Sequence, residues 1–258
     1  MNTIIKWGFK ALIVSILLTL STTMIACEIE KNLTIQDSTP IHNRRDTVTS
    51  TIPVSLEVDL VSQYIWRGQD LGNVSLQPTL GIEYKGLSLS TWGSVGISNW
   101  ADTKELDFTL DYTFKGFSIG ITDYWFSIGN YFQYKNNKTT HIWEGYVCYD
   151  FNFLAVKWFT NFAGNDGLNA DGTRAFSSYL ELTAPFRLAT LNWEASLGLV
   201  PWRTTLYVNK HFAATNVSLR ATKDFTIKDK YHLPIYAGLI ANPNSKKLYL
   251  LFGLSFKI

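Results

Sequence analysis

The residues best suited to chemistry are carboxylates set two apart in segments that otherwise alternate. In 105–115, Glu105, Asp107 and Asp111 share one parity with Thr109, Thr113 and Lys115, while Leu106, Phe108, Leu110, Tyr112 and Phe114 take the other. Successive strand side chains point to opposite faces, so these acids would stand together on a polar face. Glu57, Asp59, Glu83, Glu144, Asp150, Glu181, Glu194 and Asp224 fall at equivalent positions. Fewer bases do: Lys85, Lys115, Lys157, Arg220 and Lys257. An interior lined this way would favour cations; the alternative is a network of internal ion pairs filling a narrow space. Arg67, directly after Trp66, is expected to organise a mouth by pairing with Asp70 or another acid, the sharper reading being contact with a solute.

Covalent chemistry has weaker signals. The four histidines are His42, His141, His211 and His232, with no Gly-x-Ser-x-Gly elbow and no HExxH motif. A spatial Ser/His/acid site has no fixed spacing, so a lipid-modifying enzyme using His141 or His211 stays an alternative, but the expectation is a non-enzyme without cofactor. His141-x-x-Glu144 is one pair and makes no metal site. The loop Gly164-Asn165-Asp166-Gly167-Leu168-Asn169-Ala170-Asp171-Gly172 has the composition of a calcium loop but lacks the terminal Glu of an EF-hand; it reads as an outer loop. Cys148 should face inward as a structural residue.

The elements that would position these groups are strands. In 74–85, Val74, Leu76, Pro78, Leu80, Ile82 and Tyr84 alternate with Ser75, Gln77, Thr79, Gly81, Glu83 and Lys85; the last segment sets Leu248, Leu250, Phe252, Leu254, Phe256 and Ile258 on one face. Twelve such segments follow Val54, near 54–66, 74–84, 86–97, 103–115, 116–126, 140–150, 152–162, 174–185, 188–200, 213–225, 230–241 and 246–258. Strands of roughly ten residues suit a tilted bilayer crossing. Tight connections at Lys85-Gly86, Lys115-Gly116, Phe151, Phe186-Arg187 and 227–229 alternate with wider ones. Short turns on one side and long loops on the other predict an all-β, transmembrane, antiparallel up-and-down barrel. The turns Tyr84-Lys85-Gly86 and Phe114-Lys115-Gly116 read as equivalent, at one interface.

Composition fits. The chain has 9 Trp, 13 Tyr and 16 Phe, and only 17% charged residues, which excludes disorder. Aromatic rings favour membrane interfaces: Tyr64, Trp66, Trp100, Trp125, Trp143 and Trp202 are expected at the loop side, and Tyr84, Phe114, Phe117, Tyr149, Phe151 and Phe186 at the turn side. Residues 1–26 carry Lys6, Lys10 and the apolar run 11–20, the order of a secretory signal. Its removal takes 23 Lys+Arg to 21, level with 21 Asp+Glu, which argues against a nucleic-acid partner. Met24-Ile25-Ala26-Cys27 loosely matches a lipobox, so Cys27 is either lipidated or close to an ordinary cleavage site. Residues 27–53 read as a polar periplasmic linker, leaving 54–258 for the barrel.

The segment Asp59-Leu60-Val61-Ser62-Gln63-Tyr64-Ile65-Trp66-Arg67-Gly68-Gln69-Asp70-Leu71-Gly72, followed by Leu76-Gln77-Pro78-Thr79-Leu80 and Leu89-Ser90-Thr91-Trp92-Gly93-Ser94, resembles the start of the TorF family of porins over roughly 58–98. The resemblance implies a bacterial outer-membrane barrel with a channel role and supplies no catalytic residues. Gly253-Leu254-Ser255-Phe256-Lys257-Ile258 resembles the last-strand signal read by barrel-assembly machinery, with Leu251 and a final Ile departing from the usual pattern. The expected function is a passive, cation-favouring channel for small solutes or ions in outer-membrane lipid; the alternatives are a non-conducting structural or interaction barrel and the lipid-modifying enzyme above.

Overall fold

The computed structural model describes residues 53–126, 129–135, 138–227 and 231–257. The signal segment 1–26, Cys27, His42 and all but the last residue of the linker lie outside the described residues. Among the described residues fourteen strands are formed: β1 (Val54–Val61), β2 (Tyr64–Trp66), β3 (Gln69–Gly72), β4 (Ser75–Tyr84), β5 (Leu87–Gly96), β6 (Glu105–Phe114), β7 (Phe117–Trp125), β8 (His141–Asp150), β9 (Ala155–Gly164), β10 (Ser178–Leu188), β11 (Leu191–Val200), β12 (Ala213–Ile227), β13 (Tyr231–Asn242) and β14 (Lys247–Lys257).

Twelve of them close a barrel. From β4 to β14 each strand pairs antiparallel with the next, and β1 bridges β4 and β14. At that seam Glu57 lies opposite Lys257 and Asp59 opposite Ser255, while Val54 to Val61 pair with Ile82 to Ser75. Apolar alternation explains the two faces. Leu80, Ile82, Leu89, Phe108, Leu110, Ile119, Ile121, Leu219, Leu239 and Leu250 stand exposed on the outside. Full closure leaves no unpaired sheet edge, the condition for strands to cross lipid.

Two positions differ from the sequence reading. The turn expected at Phe186-Arg187 lies at Ala189-Thr190, with φ of 50° and 65°. Alternation continues through Leu188, and Leu188 pairs with Leu191; no glycine marks this turn. The first strand, expected over 54–66, leaves the wall after Val61, where Ser62 and Gln63 break the alternation. Tyr64 to Gly72 then fold into the separate β2–β3 hairpin. Tyr64 and Trp66 therefore belong to no interfacial girdle: they pack inside the barrel against the residues described next.

Candidate functional site

The hairpin β2–β3 turns at Arg67-Gly68, both residues having positive φ (49° and 78°). That is the two-residue turn whose twist suits flanking strands. Glycine is required at 68 for a second reason: an added Cβ would sit 1.8 Å from the carbonyl oxygen of Thr215 on β12. The tip is thus seated on the opposite wall. Asn242 Nδ2 of β13 donates to the Gly68 carbonyl at 2.9 Å. On the near side, the Tyr64 hydroxyl donates to Glu105 of β6, and its ring lies 5.6 Å from Trp92 of β5.

Arg67 is held at the centre of this crossing. Its Nη1 and Nη2 donate to Glu144 Oε2 and Oε1 of β8 at 2.7 and 2.8 Å, and Nη1 also donates to the Tyr207 hydroxyl at 2.6 Å. The guanidinium lies 4.2 Å from the ring centre of Phe159 on β9, and 4.6 Å from those of Tyr179 on β10 and Trp66. Tyr124 of β7 donates to Glu144 Oε1 at 2.7 Å. The side chains of Arg67 and Glu144 are only 7% and 1% exposed, so each charge depends on the other. Glu144 keeps regular register with Thr122 of β7; the register shift beside it lies in β9, where Phe162 is the extra residue between Asn161 and Ala163.

The long connection between β11 and β12 completes the obstruction. It folds on itself through a bridge between Thr204 and Asn209 and inserts Tyr207. That ring stacks on Trp66 at 5.8 Å and on Tyr179 at 5.6 Å. Burial pushes the Tyr207 phenol up, partly offset by the Arg67 charge. Tyr179, Val200 and Tyr207, with Trp66, Phe159 and Leu206 against them, form the buried core of the barrel. It sits at the loop end, inside the lumen.

The remaining candidate residues divide along the axis. Glu105 and Asp107 are buried near the hairpin, as is Glu144. Toward the short turns, Asp111 accepts from Ser88 Oγ at 2.9 Å, and Asp59 accepts from Ser255 Oγ. Glu57 pairs with Lys257 at 2.8 Å and Glu194 with Arg220 at 3.1 Å; Glu181 lies opposite Lys157. Glu83 is exposed near its turn. Asp70, the first partner expected for Arg67, instead accepts from Gln63 at 3.0 Å.

The signal for the Arg67 turn was present in the sequence. Trp66-Arg67-Gly68 repeats the aromatic–cation–glycine pattern of Tyr84-Lys85-Gly86 and Phe114-Lys115-Gly116, and all three cations take positive φ. Tyr207 and Phe159 carried no such mark.

His141 has both ring nitrogens engaged, Nδ1 at 2.8 Å from Asp123 Oδ1 and Nε2 at 2.6 Å from the Tyr131 carbonyl. His211 is exposed, with Nδ1 beside the Phe212 carbonyl. Cys148 is a buried free thiol opposite Lys157. In the 164–172 loop, Asp166 accepts from Asn161 and from the Ser177 amide. Asp171 accepts from Thr173, whose hydroxyl and amide hold its carboxyl below the usual range. Among the described residues no three His, Cys, Asp or Glu converge on a metal position.

No family model and no curated protein matches the chain. Among solved structures, a NanC porin is similar at 8% identity, covering 79% of this chain and 98% of its own, with a TM-score of 0.47. An outer membrane channel from Pseudomonas putida F1 gives 13%, 84%, 99% and 0.40. Salmonella typhi OmpF, solved with daunomycin, gives 10%, 80%, 97% and 0.35. The twelve-strand closure rests on this chain's own pairing.

Proposed function

We propose that the protein is a narrow channel of the bacterial outer membrane, passing small solutes or ions down their gradients and favouring cations. The observation that carries this reading is the inversion of the barrel: large apolar side chains outside, acids and hydroxyls inside. Such a surface is suited to lipid on the outside and to hydrated solutes within. The short turns would face the periplasm and the long loops the exterior. The TorF resemblance over 58–98 and the C-terminal resemblance to an assembly signal support the same reading, with barrel-assembly machinery as the partner in biogenesis. Acids such as Glu83 and Asp111, in the half of the lumen away from the hairpin, support the cation preference. The hairpin and Tyr207 make the mouth the constriction.

That constriction also favours a second reading, a structural barrel that does not conduct. Planar-bilayer recording of the refolded chain in a salt gradient separates them. Discrete steps reversing on the cation side are expected. Silence from a barrel shown to be folded by its heat-modifiable gel shift would support the second reading, and anion-side reversal would remove the cation preference.

A further inference from the structure

The outer wall holds a buried histidine–carboxylate contact that the channel does not use. Asp123 of β7 and His141 of β8 have the parity of the outward rows, yet both are buried. A carbonyl can only accept, so Nε2–H donates to Tyr131, while Nδ1 meets the Asp123 carboxylate. Tyr134 lies 4.3 Å and Tyr131 5.1 Å from the imidazole, ring to ring, and Trp125 stacks at 6.5 Å. These contacts hold the described part of the β7–β8 connection down against the wall at the loop-side rim.

The strap so fixed forms one side of a recess of about 320 Å³. Tyr134 and Thr139 of the strap line it, with Trp143, Ala163, Gly164 and Arg174. Trp143 pairs with Ala163 on the outward face of β8 and β9, so the recess opens toward the surroundings of the barrel and not toward the lumen. Arg174 Nη1 donates to the Gly164 carbonyl at 2.8 Å. A guanidinium has five N–H donors, so this anchoring leaves capacity for an oxyanion. Arg174 is the one charged residue of that lining. Lys135 and Lys138 stand exposed on the strap next to Tyr134 and Thr139. The nearby Asp123 carboxylate is already bonded to His141. A cationic fork beside Trp and Tyr rings at a membrane rim has the chemistry to receive a phosphate at headgroup depth.

We infer that this recess binds the phosphate-bearing headgroup of an outer-leaflet lipid, with Arg174 as the anion contact. The inference rests on the outer-membrane reading of the barrel. Insertion of the refolded full chain into phosphatidylcholine vesicles is therefore scored first, by protection of the barrel from protease. A chain that stays outside the bilayer overturns the membrane reading and the recess with it. The inserted protein is then taken into detergent and titrated with phosphatidic acid or with diacylglycerol of the same chains, retained lipid being counted by native mass spectrometry. Phosphatidic acid should be retained preferentially. Arg174→Gln should weaken its binding about tenfold, the scale of a lost bond to a charged group, with Arg174→Lys between the two and the gel shift unchanged in both. Inorganic phosphate should not displace the lipid at equal concentration. Equal retention of the two lipids, wild-type binding by Arg174→Gln, or displacement by inorganic phosphate would each overturn the headgroup site while leaving the channel reading intact.

Discussion

Three turns of this protein share one local design and end in different places. Tyr84-Lys85-Gly86 and Phe114-Lys115-Gly116 project at the short-turn rim, their ammonium groups 5.1 and 5.3 Å from the preceding ring. Trp66-Arg67-Gly68 has the same order and the same positive φ values, yet it crosses the lumen, and its cation is enclosed by three rings and a carboxylate. Local sequence thus makes the turn in all three, while its surroundings decide where the turn goes. The rim turns have solvent around their cations. The lumen turn has Glu144, Tyr207, Phe159 and Tyr179, each from a different part of the chain.

That difference can be broken from either side. Glu144→Ala should have the largest effect, because it leaves the Arg67 charge buried without its partner. A loss of about 3–5 kcal/mol is expected, read by denaturant unfolding in lipid vesicles. Gly68→Ala comes next. Its left-handed backbone and the 1.8 Å approach to Thr215 should unseat the tip, at about 1–3 kcal/mol. Gly172→Ala, with φ +79° but open space around its Cβ, should cost only the backbone penalty of about 1 kcal/mol.

Swapping the cations tests how far each turn depends on its surroundings. Arg67→Lys keeps the charge but loses the fork and the flat contact with the rings, so about 1–2 kcal/mol should be lost. Lys85→Arg at the rim should stay within about 0.5 kcal/mol. Arg220→Gln should also be mild: its pair with Glu194 has side chains 46% and 39% exposed, and about 0–1 kcal/mol is at stake.

Much of the barrel is legible in the sequence because alternation has one physical cause. A two-faced wall needs apolar residues at every second position, and Leu106 to Phe114 or Leu248 to Phe256 announce it without help from the rest of the chain. The turn at Ala189-Thr190 escaped because no glycine marks its positive φ. The site was less legible. Arg67 could be singled out beside Trp66, but its partner lies 77 positions away, and no period connects a residue in one loop to Glu144 in a wall strand. Tyr64 and Trp66 misled for a related reason: an interfacial girdle and a lumen core both use Tyr and Trp. Only the chain's departure from the wall after Val61 separates those roles. The acids, read either as a lining or as an internal ion-pair network, are unequal as well, since Glu57, Glu144 and Glu194 each face a base.

In the proposed channel, the β2–β3 hairpin would set the passage through the barrel. Val61 and Ser75 are already cross-strand partners, so 62–74 can be replaced by Asn-Gly, a two-residue turn that fits that register. Planar-bilayer conductance of this variant beside the parent is the most direct test. Small or intermittent steps are expected from the parent and larger, steady ones from the variant. Equal step sizes from two folded barrels would contradict that role of the hairpin.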